Sequence, residues 1–250
     1  MIVLKSRHEI ELMRQAGRIV GMVLAEMRNV VRPGITTKEL DTIAERIIVS
    51  AGAKPAFKGY AGFPATICAS INEEIVHGIP SRKRVLKEGD IISVDVGSIY
   101  KGWYGDAAIT LPVGEISEEA RRLLEVTRAS LEAAISKAVP GNHLGDVSAA
   151  VQQYVESHGY SVIREYTGHG IGRELHEEPQ VLNYGTPGTG VRLRPGMTMA
   201  IEPMVSAGSY KTRVLSDGWT VVTRDGSLTA HFEHTIAITD NGTEILTKYD

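Results

Sequence analysis

Two stretches of the chain carry apolar residues at a helical period. Over residues 7–30 these are Ile10, Met13, Ile19, Val20, Val23, Leu24 and Met27, and over Arg121–Val139 they are Leu124, Val126, Leu131, Ala134 and Ile135. A spacing near 3.6 residues lines one face of each segment with apolar side chains and predicts two amphipathic helices. Both run into a Pro-Gly pair, at 33–34 and 140–141, where proline removes the N–H that another turn would need. After the first stop, Thr36-Thr37-Lys38-Glu39 has the Thr-x-x-Glu pattern in which two side chains satisfy free amides at a helix start. A second helix is therefore expected to run to about Ser50, with Asp146–His158 as its counterpart. Elsewhere the pattern changes to strand and turn. Ile91–Gly97 and Gly102–Leu111 read as a hairpin around Ile99-Tyr100-Lys101, and Thr198–Val205, Trp219–Val222 and Phe232–Ile238 read as further strands between glycine-rich loops.

The elements recur at one offset. The step that carries Pro33-Gly34 onto Pro140-Gly141 also carries Ser50 onto Ser157, Gly52 onto Gly159, Gly89 onto Gly196 and Asp95 onto Glu202. A shared offset that reaches an acidic position points to duplication. The expectation is one domain over 1–250, of two pseudo-symmetric halves, about 1–110 and 111–250. Its fold class is α+β, a curved antiparallel sheet covered on its back by helices.

Within the strand pattern two residues are out of place. Asp95 lies in Ile91-Ile92-Ser93-Val94-Asp95-Val96-Gly97 and Asp106 in Gly105-Asp106-Ala107-Ala108-Ile109. A carboxylate inside an apolar strand loses its hydration at a cost of several kcal/mol unless a cation or donor replaces the water. His169 between two glycines, Glu202 in Ala200-Ile201-Glu202-Pro203 and Glu233 in His231-Phe232-Glu233-His234 add three more ligand-type side chains in glycine-rich or apolar surroundings. Alternation along a strand sets the faces, and a curved sheet would bring Asp95, Asp106, Glu202 and Glu233 to its concave side. Four carboxylates and an imidazole carry more negative charge than one divalent ion balances, so two ions sharing bridging carboxylates fit better. The oxygen-rich donor set favours manganese, iron(II), cobalt or zinc.

Bulk properties narrow the partners. A net charge of -3 and a pI near 6.3 argue against wholesale nucleic-acid binding, and Arg82-Lys83-Arg84 reads as a solvated loop after Pro80. Cys68 is the only cysteine, which excludes a disulfide framework and suits a reducing cytoplasm. Met1-Ile2-Val3-Leu4 is followed at once by Lys5, Arg7, His8 and Glu9, leaving no signal-peptide core. No stretch approaches the roughly 20 apolar residues of a membrane span.

The ordered motifs Val76-His77-Gly78-Ile79-Pro80, Asp95-Val96-Gly97, Gly105-Asp106, Gly168-His169-Gly170-Ile171-Gly172, Leu175-His176-Glu177, Ile201-Glu202-Pro203 and Phe232-Glu233-His234-Thr235 resemble those of the type I methionine aminopeptidases, over nearly the whole chain from Ile10 to Lys248. The resemblance implies the pita-bread fold and a cytosolic metal-dependent hydrolase that removes the initiator methionine from nascent chains and Met-first peptides. It makes Asp95 a ligand of one ion, Asp106 and Glu233 bridges, and His169 and Glu202 the remaining ligands, with Glu202 also passing on the proton of the attacking water. By the same resemblance His176 meets the scissile carbonyl and His77 the departing amide nitrogen, while Tyr60, Phe63, Cys68 and Trp219 wall the methionine pocket. Phe57, Phe63 and Leu175 depart from the usual residues of that pocket. A monomer is expected, and Arg82-Lys83-Arg84 and the Lys211 and Arg213 loop are candidates for transient contact with the ribosome.

Two rival readings share the scaffold. Proline-specific aminopeptidases and dipeptidases usually carry a large extra N-terminal domain, whereas only residues 1–94 precede Asp95 here and the helical half uses most of them. Metal-free interaction proteins have lost ligands that this chain retains, and function is argued from the site and not the fold.

Overall fold

The computed structural model describes residues 1–249. Among the described residues there are four α-helices, α1 (Arg7–Val30), α2 (Thr37–Ser50), α3 (Glu118–Lys137) and α4 (Leu144–Ser157). The capping box at Thr36 and Glu39 forms, and Ser6 with Glu9 makes a second one at the start of α1. Fifteen strands follow one another as β1 (Lys54–Pro55), β2 (Ile67–Ile71), β3 (Glu74–Val76), β4 (Ile91–Tyr100), β5 (Trp103–Pro112), β6 (Ser161–Val162), β7 (Gly168–Gly170), β8 (Glu177–Val181), β9 (Thr198–Ile201), β10 (Met204–Ser206), β11 (Thr212–Val214), β12 (Val221–Thr223), β13 (Thr229–His231), β14 (Glu233–Thr239) and β15 (Gly242–Ile245). Nine of them form one antiparallel sheet in the order β1-β4-β5-β14-β9-β7-β8, with β2 also on β4 and β15 also on β14. Two three-stranded sheets, β13-β10-β6 and β11-β12-β3, complete the rim.

Three details differ from the reading of the sequence. The β4–β5 turn is Lys101-Gly102, not Ile99-Tyr100-Lys101: Tyr100 pairs with Trp103, and φ of +50° and +79° at the two turn residues match the right-handed twist of the strands. Thr198–Val205 is two strands in different sheets, because Pro203 cannot donate to a ladder and the chain leaves the large sheet there. Trp219 stands outside the strand expected at Trp219–Val222, which begins at Val221. The basic run also divides: Arg82 and Lys83 are exposed, but Arg84 is half-buried, pairs with Glu74 and donates to the carbonyls of Ala69 and Ile79.

The main core lies between the sheet and the helices. Ile92, Val94 and Val96 of β4 are buried with Val20, Val23 and Leu24 of α1, and Ser98 donates to the Ala16 carbonyl on the same side. Helix α1 comes close enough to β5 that a Cβ on Gly105 would lie 2.8 Å from the Gly17 nitrogen. Alternation then turns Ser93, Asp95 and Gly97, with Asp106, Ala108 and Thr110, to the opposite face. A smaller apolar cluster, including Met13, Phe57, Phe63, Trp103 and Leu175, forms a second core.

Candidate active site

Strand register assembles the site. Across the large sheet Cys68 pairs with Asp95, Asp95 with Ala108 and Ala108 with Glu233; extending the His234–Ile201 register by one residue sets Glu202 beyond Glu233. Two residues along, Gly97 pairs with Asp106, and Thr235 pairs with Ala200, which pairs with His169. Thr235 joins the two parts of this second row: its hydroxyl accepts from the Asp106 amide at 3.0 Å and donates to the Asp106 carbonyl at 2.7 Å. All five ligand-type residues of the sequence reading therefore stand in two adjacent rows on one face.

The rows form the floor of a cavity of about 340 Å³. His77, His176, Tyr60, Phe63, Cys68 and Trp219 border the same cavity, so it gathers every site residue expected from the sequence; Phe57, Tyr166, Met204 and Leu175 border it as well. Phe63 meets Trp219 edge-on at 5.1 Å between ring centres, and His77 meets Tyr166 and Trp219 edge-on at 5.8 and 6.3 Å. His77 follows directly on β3 at φ +62°, a left-handed backbone that costs an L residue of order 1 kcal/mol and clusters at functional positions. Tyr60, on a short 3-10 turn, is the exposed lip, and its hydroxyl lies 2.7 Å from His176 Nδ1.

The floor is short of partners. Asp95 Oδ1, Asp106 Oδ1 and Glu233 Oε1 are buried and accept no hydrogen bond. Loss of hydration raises the pKa of Asp95 to about 7 and those of Asp106, Glu202 and Glu233 well above the usual carboxylate range. Burial also lowers the His169 and His77 imidazoles to about 4, so they stand neutral near pH 7. His169 Nδ1 lies 2.9 Å from the Gly170 carbonyl and donates to it, leaving the Nε2 lone pair directed at Asp106 Oδ2 (3.8 Å) and Glu202 Oε1 (3.6 Å). These separations are too long for hydrogen bonds and suit neighbouring ligands on a shared ion. Ligand atoms of Asp106, His169 and Glu233 lie within 4.8 Å of one another, as do those of Glu202, His231 and Glu233. Orphaned carboxylate oxygens around an open space, with a neutral imidazole aimed into it, fit divalent cations.

The profile of metallopeptidase family M24 matches residues 11–240. A methionine aminopeptidase of Clostridium acetobutylicum is 58% identical over 247 residues, covering 99% of each chain. This chain belongs to the M24 methionine aminopeptidases. Methionine aminopeptidase 1 of Bacillus subtilis is 56% identical over 99% of this chain and all of its own. The crystal structure of a methionine aminopeptidase from Thermotoga maritima superposes with a TM-score of 0.98 at 57% identity, covering 99% of this chain and 100% of that one. The curled antiparallel sheet with helices behind it is thus the pita-bread fold. Against this methionine aminopeptidase frame, sequence reasoning left out Tyr166, Met204, Thr235 and His231. The first two come from the strands and loops of the rim and carry no local signal. Thr235 and His231 flank Glu233 at even spacing, and that parity was the available clue.

Proposed function

We propose that this enzyme hydrolyses the first peptide bond of chains that begin with methionine, releasing the methionine when the second residue is small. The observation that carries the reading is the five-group floor, three of whose buried carboxylate oxygens accept no hydrogen bond, at the base of a cavity walled by aromatic rings. Asp95 would hold one divalent ion, Asp106 and Glu233 would bridge to a second, and His169 and Glu202 would complete its shell. Bound ions would supply an acidified water and charge stabilisation for the reacting carbonyl. Glu202 takes the proton of the attacking water and returns it to the departing nitrogen. His176 accepts the Tyr60 hydroxyl at Nδ1 and so presents Nε2–H to the scissile carbonyl oxygen, while His77 faces the amide nitrogen.

Tyr60, Phe63, Cys68 and Trp219 would receive the unbranched, polarizable thioether of methionine. The next side chain would lie between His77 and the floor, with room for glycine, alanine or serine. The substrates are nascent polypeptide N-termini and Met-first peptides in the cytoplasm, met by a monomer. Exposed Arg82 and Lys83 with Lys211 and Arg213 are the contact proposed for the ribosome; Arg84, committed to Glu74, is not part of it. No helix among the described residues is long and apolar enough to cross a membrane.

The test is a panel of short peptides offered to metal-stripped protein reconstituted in turn with manganese, iron(II), cobalt and zinc. Release of methionine from Met-Ala-Ser, with Ala-Pro peptides and Met-Ile peptides left intact, is the expected result. Cleavage of Ala-Pro in preference to Met-Ala would overturn it.

A further inference from the structure

We infer that His231 is a positioning residue for Glu202, holding the outer oxygen of that carboxylate from behind the site; the inference rests on the role of Glu202 proposed above. His231 is 1% exposed, and neither of its ring nitrogens has a hydrogen-bond partner. Its backbone is fixed from β5, because Thr110 Oγ1 accepts from the His231 amide at 2.8 Å and donates to its carbonyl at 2.9 Å. The ring is thereby set with Nε2 3.5 Å from Glu202 Oε2 and 3.9 Å from Glu233 Oε2. The other oxygen of Glu202, Oε1, faces His169 Nε2 at 3.6 Å. One carboxylate thus stands between two imidazoles, with one oxygen turned to each.

The two imidazoles differ in what lies around them. His169 borders the cavity, as do all four carboxylates, and His231 does not. A ligand of an ion that acts on substrate faces the space substrate enters; a group walled off from that space acts through its neighbour. An imidazole N–H at 3.5 Å is a small adjustment from a hydrogen bond to Glu202, and a buried ring with two unmade bonds recovers free energy by closing it. Partners of this kind orient metal-binding carboxylates, and losing one costs about 10–100-fold in metal affinity or activity.

The test compares His231→Leu, which fills the space without a donor, with His231→Gln, which keeps an N–H at similar reach. Cobalt(II) affinity by calorimetry, the visible spectrum of the cobalt protein, and kcat and KM on Met-Ala-Ser are measured on each. The leucine variant is expected to lose about 10–100-fold in metal affinity or kcat with KM changed less than about 3-fold. Glutamine is expected to restore most of that loss, and the cobalt spectrum to keep its shape throughout. A glutamine variant as poor as leucine, a leucine variant equal to wild type, or a spectrum altered alike in both would overturn the proposal, the last by making His231 a ligand. Should leucine prevent folding, His231→Ala takes its place against glutamine. If wild-type protein fails to cleave any Met-first peptide, the proposed activity falls, while the affinity comparison still decides the role of His231.

Discussion

Glu233 has an oxygen that no protein group satisfies, and its carboxylate sits between Asp95 and Glu202 in the same row. Removing it takes away the central acceptor of the floor. Glu233→Ala is accordingly expected to abolish turnover and lower bound metal, read by elemental analysis after dialysis; an active variant with full metal content would exclude Glu233 as a bridge. His176 meets the His169 ring edge-on at 4.3 Å between centres, and its Nδ1 lies 2.7 Å from the Tyr60 hydroxyl. His176→Ala should retain its metal and lose about 100-fold in kcat, a loss confined to the transition state. Loss of metal there would show His176 to be a ligand. Asp95 gives the pH dependence its sign. Burial lifts its pKa to about 7, so below that pH a proton occupies the group and a cation must displace it. Metal affinity should climb as pH rises through about 7, with protons released on binding; calorimetry in buffers of different ionisation enthalpy counts them, and a flat affinity profile across neutrality would contradict the assignment.

At the scale of elements, the site is a consequence of register. Asp95 and Asp106 were legible in the sequence because each breaks an apolar strand, and the faces they share followed from alternation. The pairing of β14 between β5 and β9 was not legible, since nothing local to Phe232–Ile238 specifies partners so distant in the chain. For the same reason the resemblance to known motifs supplied the roles of His77 and His176, whose neighbours are gathered from separate loops. The missed break at Pro203 is instructive: the apolar run continues through it, and only the missing N–H ends the strand. Helix α2 shows how an element outside the site supports it. Asp41 is 1% exposed, accepts from the amides of Thr66 and Ile67 at 2.8 and 3.2 Å, and pairs with Lys38 at 2.6 Å. It thereby pins the start of β2, whose next residue is Cys68. Asp41→Ala leaves two buried amides unsatisfied and should destabilise the fold by about 3 kcal/mol in chemical denaturation; a loss under about 0.5 kcal/mol would mean that those amides find other partners.

For the whole molecule, the offset seen in the sequence has a conformational echo. Gly34 and Gly141 have φ of +89° and +94°, Gly52 and Gly159 +74° and +84°, and Gly89 and Gly196 +90° and +93°. We read these matched turns, one between the two helices of each pair and two after them, as the two halves of a duplicated unit. The floor draws on both: Asp95 and Asp106 come from residues before 110, and His169, Glu202 and Glu233 from residues after it. Strand β14 joins them, lying between β5 of one half and β9 of the other although it is nearly the last strand in the chain. A chain ended at Ser227 should therefore bind no cobalt(II) and be digested rapidly by added protease; a compact, metal-binding product would show that the halves close without β14. The order of synthesis gives this placement a further meaning. While the polypeptide is emerging, its first hairpin can form long before the strand that completes the sheet has been translated. The ribosome must pass residue 239 before the floor is complete, so a copy shorter than that has no working centre with which to trim other chains.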